Sequence, residues 1–162
     1  MTVTPRPFDL ERFRKAQHGH PSLEEALSEL RAGAKVSHWI WYVFPQLAGL
    51  GSSPMAVRFG LKGVEEAAAY LEDDELCAGL AAAADAASGQ LAAGVPLLTL
   101  MGGETDARKL VSSMTLFTPL AHAQRARGAA KAFQVAAGGD VILAAAASAG
   151  YPPCAFTRER LR

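Results

Sequence analysis

The sequence predicts a single all-α domain. Cap residues stand immediately before apolar runs and apolar side chains recur at three- and four-residue spacing, which together account for nearly every apolar residue and limit any sheet to a minor hairpin. A chain of 162 residues can bury about two-thirds of the surface its unfolded form exposes, so a core of this size needs no disulfide or metal.

Each element has its own local reason. In Phe8-Asp9-Leu10-Glu11-Arg12-Phe13, Asp9 is placed as an N-cap between the two phenylalanines of a hydrophobic staple, which predicts a helix to about Gln17. His18-Gly19-His20-Pro21 ends it. Ser22-Leu23-Glu24-Glu25 is a capping box, and Leu23, Ala26, Leu27 and Leu30 form one face of a second helix that stops at Gly33. Ser53-Pro54 reads as cap and first-turn proline of a short helix to about Phe59, and a helix from Val64 to Leu71 follows. Asp73 or Asp74 caps a long alanine-rich helix to about Ala92. After breaks at Gly94-Val95-Pro96 and Gly102-Gly103, Thr105 or Asp106 caps a helix through Lys109, Val111, Met114 and Phe117, which Pro119 is expected to stop. Two further helices are expected over about 123–137 and 141–149, separated by Gly138-Gly139-Asp140. Tyr151-Pro152-Pro153-Cys154 cannot continue a helix, and 151–162 reads as a mobile tail.

The stretch Ser37-His38-Trp39-Ile40-Trp41-Tyr42-Val43-Phe44-Pro45-Gln46 holds both tryptophans of the chain. Propensity reads Trp39 to Phe44 as a buried strand, but no other segment offers that strand a partner, so a helix over about 39–46 is expected. Both tryptophans are expected to be largely buried, with Trp41→Ala costing about 3–5 kcal/mol. His38 and Gln46 would then need partners, water or a ligand, since an unpaired buried polar group costs about 1–3 kcal/mol.

Composition narrows the function classes. Lysine plus arginine equals aspartate plus glutamate at 16 each, which removes the positive field that non-specific nucleic-acid or anionic-membrane binding requires. The residues Met1 to Pro7 lack the pattern of a cleavable leader, and the weakly polar stretches 78–94 and 141–150 are too interrupted or too short to span a bilayer, so a soluble cytoplasmic protein is expected. Cys77 and Cys154 lie far apart and read as free thiols, and no cofactor or metal is expected. His18 and His20 lack a third ligand, Asp73-Asp74-Glu75 reads as a capping and solvated charge cluster, and Gly49-Leu50-Gly51-Ser52-Ser53-Pro54 carries Pro54 where a dinucleotide fingerprint needs its third glycine.

Taken together, Phe8-Asp9-Leu10-Glu11-Arg12-Phe13 with Ala16-Gln17, Ala26 to Leu30, Ser37 to Gln46 with Leu50-Gly51, and Lys109-Leu110-Val111-Ser112-Ser113-Met114-Thr115-Leu116-Phe117 resemble the domain of unknown function 1810 family. The resemblance covers about 8–117 and implies a mostly helical fold with a site built from the two longer motifs, and no activity. The label calpastatin, sometimes attached to members, would require disordered inhibitor repeats that this chain lacks. From about Ala123 the chain departs from the expected family ending, so 123–150 reads as divergent.

The candidate ligand-binding residues are His38, Trp39, Trp41, Gln46, Lys109, Ser112, Ser113 and Thr115. An imidazole and an amide flanking an aromatic wall suit a planar or polar ligand. Lys109, Ser112 and Ser113 share a helical face at i, i+3 and i+4, suited to an anion such as a phosphate or carboxylate. Three readings stay open: a pocket for an anionic or nucleotide-like metabolite, a protein-interaction scaffold in which both motifs are core, and a hydrolase or transferase using a Ser–Lys pair or His38. The two motifs are expected to touch. Convergence of their polar groups on one solvent-reachable cavity would favour the pocket.

Overall fold

The computed structural model describes residues 8–162, so the reading of Met1 to Pro7 as carrying no leader lies outside it. The described residues form ten helices and no strand, as the capping and periodicity predict. A lone parallel bridge joins Leu47 to Leu61.

Helix α1 (Glu11–Gln17) is not capped by the Asp9 side chain. What anchors it is Arg12, whose guanidinium donates to the carbonyls of Arg58 at 2.8 Å and Gly60 at 3.0 Å and to the fully buried Glu66 carboxylate at 2.9 Å. Helix α2 (Leu23–Arg31) follows the capping-box reading, with Ser22 Oγ accepting from the Glu25 N–H at 3.1 Å. Helix α3 (Ile40–Val43) is a single turn, shorter than the helix expected over about 39–46. Trp39 lies outside helical geometry, and Phe44 is turned away at ψ 74° because the following Pro45 disfavours the α region before it. Helix α4 (Pro54–Phe59) is capped by Ser53, α5 spans Gly63–Glu72, and α6 (Asp74–Ala92) is capped by Asp73.

The second half departs further from local expectation. A short α7 (Leu97–Met101) stands between the two expected breaks, in a span for which the sequence named no element. Helix α8 (Glu104–Ala126) runs through Pro119. The proline faces solvent, while Phe117 and Ala121 on either side of it are fully buried, so packing on both sides offsets the one lost backbone bond. Helix α9 (Ala132–Ser148) is continuous across Gly138-Gly139, where a break was expected. A Cβ at Gly138 would come within 3.0 Å of Ala84, and one at Gly139 within 2.0 Å of Thr118 Oγ1. These glycines therefore let α9 press onto α6 and α8, with which it makes the most extensive helix contacts of the fold. The tail is docked rather than loose: α10 (Ala155–Arg160) buries Thr157, and the Phe156 ring lies against Gly49. One apolar core runs through the structure, with Phe13, Trp39, Phe44, Tyr70 and Phe117 among its largest fully buried side chains.

A cleft between α8 and the C-terminal strap

The aromatic segment is held from α2. Glu29 Oε1 accepts from the backbone N–H groups of Val36 at 2.7 Å and Ser37 at 2.8 Å and from Trp39 Nε1 at 3.0 Å. Burial works against the Glu29 charge, but the hydrogen bonds from Ser37, Val36 and Trp39 outweigh it and bring the carboxyl down to about 2. Trp39 is thereby fixed in the core with its indole proton satisfied. His38, next to it, stands exposed. Trp41 is partly buried, less than the sequence predicts, and lies one residue into the turn of α3.

Helix α3 packs on α8, so the two motifs touch as expected. Lys109 Nζ lies 5.2 Å from the centre of the Trp41 ring. Thr105, Arg108, Lys109 and Ser112 follow one another up one face of α8 and line an open cleft of about 560 Å³. Its other walls are Gln46 and Leu50 on one side and the strap Tyr151-Pro152-Pro153-Cys154-Ala155 on the other. The strap is extended because two consecutive prolines remove its helix donors, and it is tied down where the Cys154 N–H donates to Thr115 Oγ1 at 3.1 Å. The Thr115 hydroxyl in turn donates to the Val111 carbonyl at 2.7 Å.

The structure therefore sorts the sequence candidates. Gln46, Lys109 and Ser112 meet at the cleft, and Trp41 joins Gln46 and Lys109 around a narrow crevice opening beside it. Ser113 is fully buried, Thr115 is the strap's tie, Trp39 belongs to the core, and His38 is outside the cleft lining. Arg108, Tyr151 and Cys154 were missed as site residues. The one available signal was the Tyr-Pro-Pro-Cys segment itself, which joins an aromatic ring and a thiol to backbone that cannot be helical.

Charges at the mouth are mostly paired. Arg108 donates to Glu104 at 2.8 Å and stacks over Tyr151, 5.4 Å from its ring centre. Asp106 is shared: one carboxylate oxygen lies 2.8 Å from Lys35 Nζ, the other 3.7 Å from Lys109 Nζ. Lys35 is almost fully buried, also donates to the Ser37 carbonyl, and sits 4.8 Å over Trp39. Set against Glu104 and Asp106, the cations Lys35, Arg108 and Lys109 leave one positive charge in excess, and the longer contact leaves that excess at Lys109. Burial raises the Cys154 thiol, but hydrogen bonds from Thr157 and from Ser112, whose proton otherwise goes to the Arg108 carbonyl at 3.0 Å, more than offset it and lower its pKa. Among the described residues no three His, Cys, Asp or Glu side chains gather as a metal site.

The model of the family described as protein of unknown function (DUF1810) matches residues 7–139. The chain belongs to this family. The match runs beyond Ala123, where the sequence reading placed the departure from the family, and takes in the first eight residues of α9. The chain is also similar to the conserved hypothetical protein Rv1873 from Mycobacterium tuberculosis, known from a crystal structure at 1.38 Å. The two are 37% identical, over 95% of this chain and 96% of that one, with a TM-score of 0.74. No curated protein matches the chain. Membership in the DUF1810 family assigns no reaction. Of the cleft, Gln46, Lys109 and Ser112 fall inside the family match, whereas the strap lies C-terminal to it. No helix of the described residues is long and apolar enough to cross a membrane.

Proposed function

We propose that this protein is a binding domain for a small anionic molecule, held in the cleft between α8 and the strap. The observation that carries this reading is convergence: Gln46, Lys109 and Ser112, polar groups from two distant motifs, line one solvent-reachable cavity. A scaffold would have each polar group dispersed or satisfied within the core, which is the condition of Thr115 and Trp39 but not of Lys109. Catalysis by a Ser–Lys pair is less well supported, because Ser112 gives its proton to a backbone carbonyl and Lys109 faces Asp106 rather than a nucleophile. With Arg108 over Tyr151 and Lys109 over Trp41, the nearby aromatic faces are already engaged by cations, so an anion is favoured over a nucleotide base. The balanced net charge fits a ligand other than nucleic acid, and free Cys77 and Cys154 suit a reducing compartment such as the cytoplasm.

A thermal-shift panel of small carboxylates, phosphates and sulfonates at low salt tests this. A ligand at a hundred times its Kd adds about 2.7 kcal/mol, which raises Tm by about 5–10 °C for a domain of this size. The shift should vanish in Lys109→Ala. No shift with any anion, or an equal shift in that variant, would overturn the reading.

A further inference from the structure

Trp41 Nε1 is buried and has no hydrogen-bond partner. An indole N–H can only donate, so whatever meets it must bring an acceptor. Trp41 lines a crevice of about 10 Å³, close to the space of one water-sized atom, together with Gln46, Lys109 and the rings of Phe44 and Phe59. Gln46 and Lys109 also line the large cleft, so the crevice and the cleft share part of one wall.

Resting on the anion-binding reading above, we propose that this crevice takes one oxygen of a monocarboxylate whose apolar body lies along the cleft. Three features select that class. The crevice has room for a single atom, and its lining residues include Trp41, Gln46 and Lys109, which carry an indole N–H, a carboxamide and an ammonium. The surrounding ion pairs leave one positive charge in excess, which matches a monoanion and leaves the second charge of a phosphate without a partner. Alongside the polar Thr105, Arg108 and Ser112, the cleft lining includes Leu50, Val111, Pro152, Pro153 and Ala155, which offer contact to an alkyl or aryl body.

The two tryptophans make the test internally controlled. In a nitrogen-15 correlation spectrum of the labelled full chain, acetate, butanoate, hexanoate and inorganic phosphate are titrated in turn. The Trp41 indole proton should move on carboxylate binding, while that of Trp39, already bonded to Glu29, should stay. Affinity should tighten about fourfold per added methylene, the factor that corresponds to about 0.8 kcal/mol. Trp41→Phe should weaken hexanoate by about tenfold or more, as expected for loss of a hydrogen bond to a charged group. If that variant does not fold, the wild-type spectrum decides. Equal binding of phosphate and hexanoate without chain-length dependence overturns the monocarboxylate assignment and leaves the anion cleft standing. An unmoved Trp41 proton during Lys109-dependent binding overturns the crevice as subsite. Absence of binding by any of these anions or by the wider panel overturns both readings.

Discussion

Glu29→Gln separates charge from shape at the point that holds the aromatic segment. Glu29 Oε1 collects the N–H groups of Val36, Ser37 and Trp39, and glutamine can still offer one oxygen to them, so the variant loses chiefly the charge. A carboxyl brought from 4.5 to about 2 stabilises the folded state by about 3 kcal/mol if taken at full value. Part of this carboxylate meets solvent, and screening reduces the figure to about 1–2 kcal/mol at neutral pH. Because the folded pKa lies below the unfolded one, the contribution is complete above about 4.5 and is lost as pH falls toward 2. Urea unfolding of wild type and Glu29→Gln at pH 7, 4 and 3 should show a gap of about 1–2 kcal/mol that shrinks to roughly less than half by pH 3. Glu29→Ala, which leaves the donors with no acceptor, should cost more, about 2–4 kcal/mol at pH 7. A gap that does not change with pH, or no gap at pH 7, would refute the claim that the charge of Glu29 anchors the segment.

Other consequences can be checked on single variants. Trp39→Ala should cost about 3–5 kcal/mol in denaturant unfolding, and Trp41→Ala clearly less, because Trp39 is fully buried and Trp41 is not. Gly139→Ala, whose added methyl would overlap Thr118 Oγ1 at 2.0 Å, should cost about 1–3 kcal/mol. Adding Thr118→Ala should recover part of that loss, and additive effects in the cycle would argue against the contact. Cys154, with its lowered pKa and a place in the cleft, should react with a disulfide reagent at pH 7.5 well before Cys77, which is buried and has its thiol raised chiefly by burial. Cys154→Ser should remove the fast phase, and equal rates for the two thiols would contradict the assignment.

Local sequence sufficed for the helical class and the caps at Ser22, Ser53 and Asp73, because an N-cap and an apolar stripe are set by residues within one or two turns. It also determined that the two longer motifs would meet, since each carries an apolar face that needs another. Local rules failed where a distant neighbour decided the energy. Pro119 and Gly138-Gly139 read as breaks along the chain, yet α8 passes through the one and α9 uses the other to approach Ala84 and Thr118. The strap and α10 read as a loose end because their anchors, Thr115 and the loop at Gly49, lie far away in sequence. The site divided in the same way. Lys109, Ser112 and Gln46 were legible as polar groups on apolar segments, whereas whether each faced the cleft or the core depended on helix rotation. Only the packing of α8 against α3 and the strap set that rotation, turning Ser112 to the cleft wall and Ser113, one residue on, into the core.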